Sequence, residues 1–264
     1  MVVLTQERAN LSGIKFARQN RRSVPRVTNF HAVRSAADVP LSSASKIASL
    51  IATADKLRQS PGAPLRGRNL ALLHAPAAAA SGISPLQGAA EELGARVALL
   101  NFAQPIGPAE AGSDVVALAR MLGRMYDGID CHDLDAAVLR SIELHAGVPV
   151  FPGLALDTHP ARVIADLWAL CERLAPAERR IVLVGNGRRP RARMFVAAAR
   201  TMGVAILVKS RADPGSEAAP AIADASRHRH WVLWIDGCAI DREAVQENHR
   251  RIMQAFLVQT LVGA

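Results

Sequence analysis

His159 and Arg162 stand three residues apart at the start of a long amphipathic run over 159–174. On a helix that spacing puts them on neighbouring faces. A guanidinium at such a place suits an anion. Plainer roles are open to both. Thr158 or His159 can cap the helix, with Pro160 in its first turn. Arg162 can pair with Asp157 or Asp166. A second set, Arg188, Arg189, Arg191 and Arg193, crowds the start of a run over 190–202, behind Gly185-Asn186-Gly187. Four cations there oppose the positive end of the helix dipole. A bound anion or an acidic partner would offset that, and a solvated surface is the alternative. The Gly-x-Gly string lacks the third glycine of a dinucleotide turn, so that signal is weak. Ser81-Gly82-Ile83-Ser84 leads into another helical run, as an ordinary loop or as an anion site at a helix N-terminus. Cys131, Cys171 and Cys238 are an odd number without metal-like spacing. They read as buried thiols in a reducing compartment, with no metal or cofactor expected.

The elements that must position these residues alternate. Residues 41–59 read as a helix capped by Ser42 or Ser43, with Ile47, Leu50, Ile51, Ala54 and Leu57 as its apolar stripe. Strands are expected at 69–74, 96–101, 128–131 and 148–151, with helices at 84–93, 113–125 and 134–146 between them. Gly94 is a natural helix stop. Such a β-α-β-α series implies a parallel sheet covered by helices on both faces. After the helix over 159–174, Ala175-Pro176-Ala177 marks a boundary. The second half carries strands at 181–184, 204–209 and 231–235 and the helix at 190–202. The Pro-, Gly- and Ala-rich stretch 213–229 reads as loop plus one weak helix. Residues 241–262 close the chain as a long helix.

Half of the 264 residues are hydrophobic and 4% are aromatic, so small aliphatic side chains must fill the core. No apolar run reaches the roughly 18 residues of a membrane span, and no secretory apolar segment opens the chain. A cytoplasmic protein is the expectation. Of the net charge of +9, residues 1–27 carry a net +5. This arm reads as a tail, a transit peptide or a nucleic-acid contact. It lacks interleaved aromatics, so nucleic-acid binding would be non-specific and salt-sensitive.

Several strings, in order, resemble the aspartate and ornithine carbamoyltransferases. Leu65-Arg66-Gly67-Arg68 is similar to that family's Leu-Lys-Gly-Lys. Arg120-Met121-Leu122-Gly123-Arg124-Met125-Tyr126-Asp127 is similar to its Arg-Val-Leu-Ser-Arg-Tyr-x-Asp. Val148-Pro149-Val150 with Gly153-Leu154, then His159-Pro160 and Ala165-Asp166-Leu167, resemble its Val-Pro-Val-Ile-Asn-Gly-Leu and His-Pro-x-Gln region. Gln246-Glu247-Asn248 resembles its Ala-Glu-Asn-Arg. The resemblance implies two parallel-sheet, three-layer αβα domains, the second shortened. Residues 28–158 would be a carbamoyl-phosphate-type domain, joined by the last helix over 241–264. Residues 159–175 would connect it to a reduced amino-acid-binding-type domain at 176–240.

The resemblance also implies where chemistry would sit, and much of it is replaced. The family's Ser-Thr-Arg-Thr-Arg phosphate loop falls on Ala79, Ala80, Ser81, Gly82 and Ile83, and no Arg or Lys occurs between Arg68 and Arg96. Ser81, Gly82 and Ser84 are what remains for an anion. A second family arginine is His132 here. His159 survives as the residue that polarises the carbamoyl oxygen, while the glutamine that contacts the carbamoyl amide is Arg162. The arginine after Glu-Asn is His249. On the amino-acid side, Asn186, Arg188 and Arg189 stand in the family's Gly-Asp-x-x-Asn turn, and Cys238 is the one remnant of its substrate loop. The implied ligand is carbamoyl phosphate or another small anion. The implied assembly is a homotrimer, or association with an active carbamoyltransferase. Three functions stay open: a non-catalytic scaffold or partner subunit, a transferase with altered donor and acceptor, and a binder of nucleic acid or acidic surfaces through the arm.

Overall fold

A computed structural model describes residues 41, 43–74, 84–102, 111–210, 220–227 and 231–263. The basic arm, Ser81 and Gly82 lie outside the described residues. The first element among the described residues is α1 (Ala44–Gln59), whose N-cap is Ser43. A four-stranded parallel sheet follows, formed by β1 (Asn69–His74), β2 (Arg96–Asn101), β3 (Gly128–His132) and β4 (Val150–Phe151) in the order β2-β1-β3-β4. The helices between its strands are α2 (Pro85–Glu92), α3 (Ala111–Met125) and α4 (Ala136–His145). Alternation along β1 splits the core. Leu70 and Leu72 pack with residues of α1, α2 and the last helix, α7 (Arg242–Leu261), while Ala71 and Leu73 pack with residues of α3 and α4. The expected parallel sheet with helices on both faces is therefore present in this half. At the α3–α4 crossing the backbones nearly touch: a Cβ on Gly123 would lie 1.7 Å from the Ala146 carbonyl oxygen.

The helix α5 (Pro160–Cys171) is apolar nearly all round, and Ala161 and Val163 to Cys171 are buried. A helix apolar on every side belongs in a core. Its residues share one cluster with both sheets. It stops at Cys171, three residues earlier than its periodicity suggests, and Pro176–Glu178 form a single 3₁₀ turn.

The second sheet contains β5 (Arg180–Gly185), β6 (Ala205–Lys209), β7 (Ala221–Ala225), β8 (Val232–Ile235) and β9 (Cys238–Ala239) in the order β6-β5-β7-β8-β9. The connection β5 to β6 runs through α6 (Pro190–Thr201). This corrects two expectations. The Ala-rich stretch expected to hold a weak helix supplies β7, which sits between β5 and β8. Ala221, Ala223 and Ala225 face the core, and that alternation by twos is a strand pattern carried by residues of low strand propensity. Among the described residues five strands are present where three were legible, and β8 pairs antiparallel with both β7 and β9. Asp236 and Gly237, at φ 48° and 77°, make the two-residue turn between them, as an Asp-Gly pair favours.

Among the described residues, no helix is long and apolar enough to cross a membrane.

Candidate functional site

Among the described residues, half of the buried polar side chains gather around the start of α5: His159, Asp166 and His249. His159 is the N-cap, and its Nδ1 accepts the Ala161 N–H at 3.1 Å. That bond leaves the ring proton on Nε2. Burial pushes its pKa down to about 4, so the imidazole is neutral near pH 7. The ring meets Phe256 of α7 edge-on at 5.5 Å. One turn further, the Arg162 Nη1 donates to Nδ1 of His249 at 3.4 Å. His249 comes from α7 and is held down to about 3, first by burial and then by Arg162, His159 and Arg191. It too is neutral, with its proton on Nε2.

Two carboxylates face the two arginines. Asp166, fully buried one turn along α5, lies 3.6 Å from Arg162 and accepts a 2.7 Å bond from Arg191 of α6. Burial raises its pKa, and the Arg191 and Arg162 charges pull it back. Asp157, in the turn before α5, is 3.2 Å from Arg191 and 3.7 Å from Arg162, with its side chain 73% exposed. Arg191 also stacks over Trp231 at 4.3 Å. Two guanidiniums are thus matched by two carboxylates, and the two buried histidines carry no charge.

This cluster is poorly satisfied. Among the described residues, five of the eight buried side-chain polar atoms without a hydrogen-bond partner belong to it: His159 Nε2, Arg162 Nε, Asp166 Oδ1, Trp231 Nε1 and His249 Nε2. Native proteins leave few such atoms, so their concentration marks a place for a polar ligand. Four of the five are N–H donors, which suits a ligand rich in acceptors. A cavity of about 1030 Å³ opens beside it, between α2 and the start of α7, lined by Asp157, Arg162 and His249. Ser84, the N-cap of α2, lines the same cavity and makes no side-chain capping bond. Arg250 on this wall pairs with Glu92 and Glu247.

The other sequence candidates go elsewhere. His132 ends β3 beside His74, its partner in register on β1, with ring centroids 5.2 Å apart and Asp133 at 3.2 Å. Among the described residues, no hydrogen bond or ion pair joins this pair to the His159 cluster. Burial first, then His132, lowers the His74 pKa. The four arginines at the α6 start diverge. Arg188 and Arg193 are exposed, Arg189 donates to the Arg227 carbonyl at 3.0 Å, and Arg191 turns inward. Asn186 closes a local turn by accepting the Arg188 N–H at 2.9 Å. Cys238 lies exposed on the outer strand β9, apart from the cluster. Arg191 and His249 are the contributors that position alone did not single out. Arg191 looks like one of four surface charges, and His249 stands out only through the resemblance. Asp127 is structural: it accepts the Asn69 N–H at 2.8 Å and pairs with Arg68. Buried Asp130, whose pKa burial lifts to about 7, accepts the Leu154 N–H at 2.8 Å and so fixes the turn ahead of His159.

Comparison with known proteins bears on this site. The model of the aspartate/ornithine carbamoyltransferase carbamoyl-P binding domain matches residues 34–172. An ornithine carbamoyltransferase from Cutibacterium acnes is 32% identical over 147 residues, covering 54% of this chain. That match spans 43% of the relative's own length, less than half of it. Among solved structures, ornithine carbamoyltransferase from Thermus thermophilus superposes with a TM-score of 0.59 at 19% identity, covering 83% of this chain and 96% of that one. The enzyme from Burkholderia thailandensis gives 0.61 at 15% identity, covering 84% and 96%. At such identities these structures speak to the fold.

Proposed function

Because the chain belongs to the aspartate/ornithine carbamoyltransferase family, we propose that it keeps that architecture without the standard carbamoyl transfer and serves as a ligand-holding scaffold or partner subunit. In this reading residues 28–158 with 241–264 are the carbamoyl-phosphate-type half, and 176–240 the reduced amino-acid-type half. The carrying observation is electrostatic. Arg162 and Arg191 are already matched by Asp157 and Asp166, and His159 and His249 are neutral. A dianionic phosphate needs fixed positive charge where its own charge sits. The absence of any Arg or Lys from 69 to 95 supports the same reading from the sequence. The exposed Met121, Met125 and Leu144 of α3 and α4 suit contact with a partner chain, whether a further copy or an active carbamoyltransferase.

A second reading has its own support. His159 presents an Nε2–H donor beside Arg162 and His249. In a transferase with an altered donor, that N–H would polarise a carbonyl oxygen, while Arg162 and Ser84 would hold an anion. Calorimetry separates the two. Carbamoyl phosphate titrated into the pure protein, against inorganic phosphate, gives no saturable heat up to millimolar ligand in the first reading. Micromolar binding weakened by His159→Ala would favour the second.

A further inference from the structure

The second sheet ends on β6, and that edge is poorly protected. Among the described residues β6 pairs with β5 alone, so its other side presents unpaired backbone N–H and C=O groups. Its sequence is Ala205-Ile206-Leu207-Val208-Lys209. Alternation turns Ile206 and Val208 toward α6 and Leu207 to the opposite face, and Ile206 packs against the core. Leu207 is left 53% exposed and Val208 41%. Proteins commonly blunt such an edge with charge, proline or a bulge, but here the apolar run is uninterrupted up to Lys209. Beside Val208 a groove of about 730 Å³ lies along α6, lined by Met194, Ala197, Arg193 and Arg200 among others. Both arginines are exposed, and among the described residues neither guanidinium is engaged in an ion pair or hydrogen bond. No acidic residue occurs in α6 to offset them. We propose that β6 is a docking edge for an acidic, extended segment of a partner protein, which adds a strand to the second sheet and meets Arg193 and Arg200 with its carboxylates.

Three observations converge on that occupant. The open edge supplies main-chain hydrogen bonds, the source of affinity when a strand is added to a sheet. Leu207 offers an apolar neighbour on one face. The groove, with its two free guanidiniums, offers a carboxylate-selecting neighbour on the other. A segment that alternates acidic and apolar residues satisfies both faces at once, because the side chains of a strand alternate. A second copy of this chain fits less well. Antiparallel pairing of β6 with itself, about a two-fold axis between the two Leu207 residues, would place both α6 helices on the same face of the joined sheet. Four uncompensated arginines would then gather at the junction. The inference is separate from the question of transfer, since docking on this edge requires no turnover.

The experiment uses the whole protein and a blocked, fluorescent heptapeptide of alternating glutamate and valine, with anisotropy as the readout. Saturable binding is expected, and Arg193→Glu combined with Arg200→Glu should weaken it at least about tenfold. Both positions are exposed, and circular dichroism with a melting curve confirms that the variant folds. Arg124→Glu combined with Arg140→Glu makes the same change in net charge on α3 and α4 and should leave the affinity unchanged. One edge of an added strand pairs, so N-methylation of one of the two alternating sets of peptide amides should abolish binding and methylation of the other should not. Equal losses in the two charge-reversed proteins, or indifference to methylation of either set, would overturn the proposal. So would a concentration-dependent dimer in sedimentation that Leu207→Lys abolishes, which would make a second copy the occupant. Tighter binding of a single-stranded oligonucleotide through the same two arginines would also overturn it. Turnover measured on the same preparations reports on the no-transfer reading alone.

Discussion

Replacing His159 by Asn tests whether the site is built around a buried neutral imidazole. His159 titrates near 4 in the folded chain, against 6.5 for an ordinary histidine. The folded value is the lower one, so the unfolded chain takes up protons first as pH falls. The stability involved is intact above pH 6.5 and is lost between 6.5 and 4. At pH 5 the loss through this one group is about 2 kcal/mol, and below pH 4 it approaches about 3 kcal/mol. Asparagine is a favoured N-cap whose side-chain oxygen can accept the Ala161 N–H as Nδ1 does, and it does not titrate. Losing the ring against Phe256 should cost about 1 kcal/mol at pH 8. Urea denaturation of both proteins at pH 8 and pH 5 checks this. The variant should be the less stable by about 1 kcal/mol at pH 8, and the difference should move by about 2 kcal/mol in its favour at pH 5, which reverses the order. An unchanged gap would refute the idea that His159 folds as a buried neutral base.

Other perturbations probe the same framework. Arg191→Ala leaves Asp166 buried without its closest cation and should destabilise by about 3–5 kcal/mol at neutral pH. Adding Asp166→Asn should recover part of that in the same denaturation assay. Asp130 has the opposite sign to His159. Its folded pKa of about 7 lies above 3.8, so stability present at low pH is lost as pH rises from 3.8 to 7. Asp130→Asn should therefore gain on the wild type by roughly 4 kcal/mol between pH 4 and pH 8, read from paired urea curves. Gly123→Ala forces a methyl into the Ala146 carbonyl and should cost at least about 2 kcal/mol, seen as a lowered melting temperature.

Much of the fold could be read from patterns that depend on one element at a time. The stripe of α1, the apolar periodicity of α5 and the strand–helix alternation of the first half all follow from local spacing. β7 escaped because its core positions are Ala221, Ala223 and Ala225, and alanine alternation carries little strand signal beside the helices it permits to pack closely. β9 escaped because it is two residues long, although Asp236-Gly237 is a hairpin turn in plain sight. At the site, the two plainer roles available to His159 and Arg162 are both occupied: the histidine caps α5, and the arginine faces Asp157 and Asp166. The inward turn of Arg191 was not legible, because nothing local distinguishes it from Arg188 or Arg193. Its destination depends on α6 packing beside α5. The pairing of Arg162 with His249, 87 residues away, likewise exists only once α7 has folded back over α5.

The most direct measurement is turnover itself. The pure protein is mixed with carbamoyl phosphate and either L-ornithine or L-aspartate, and the carbamoylated amino acid is quantified against a protein-free control. No product above that control is expected with either acceptor, because the residues that would hold the phosphate charge are already paired or neutral. Saturable formation of product, lost in His159→Ala, would contradict the proposal and make the chain a working transferase.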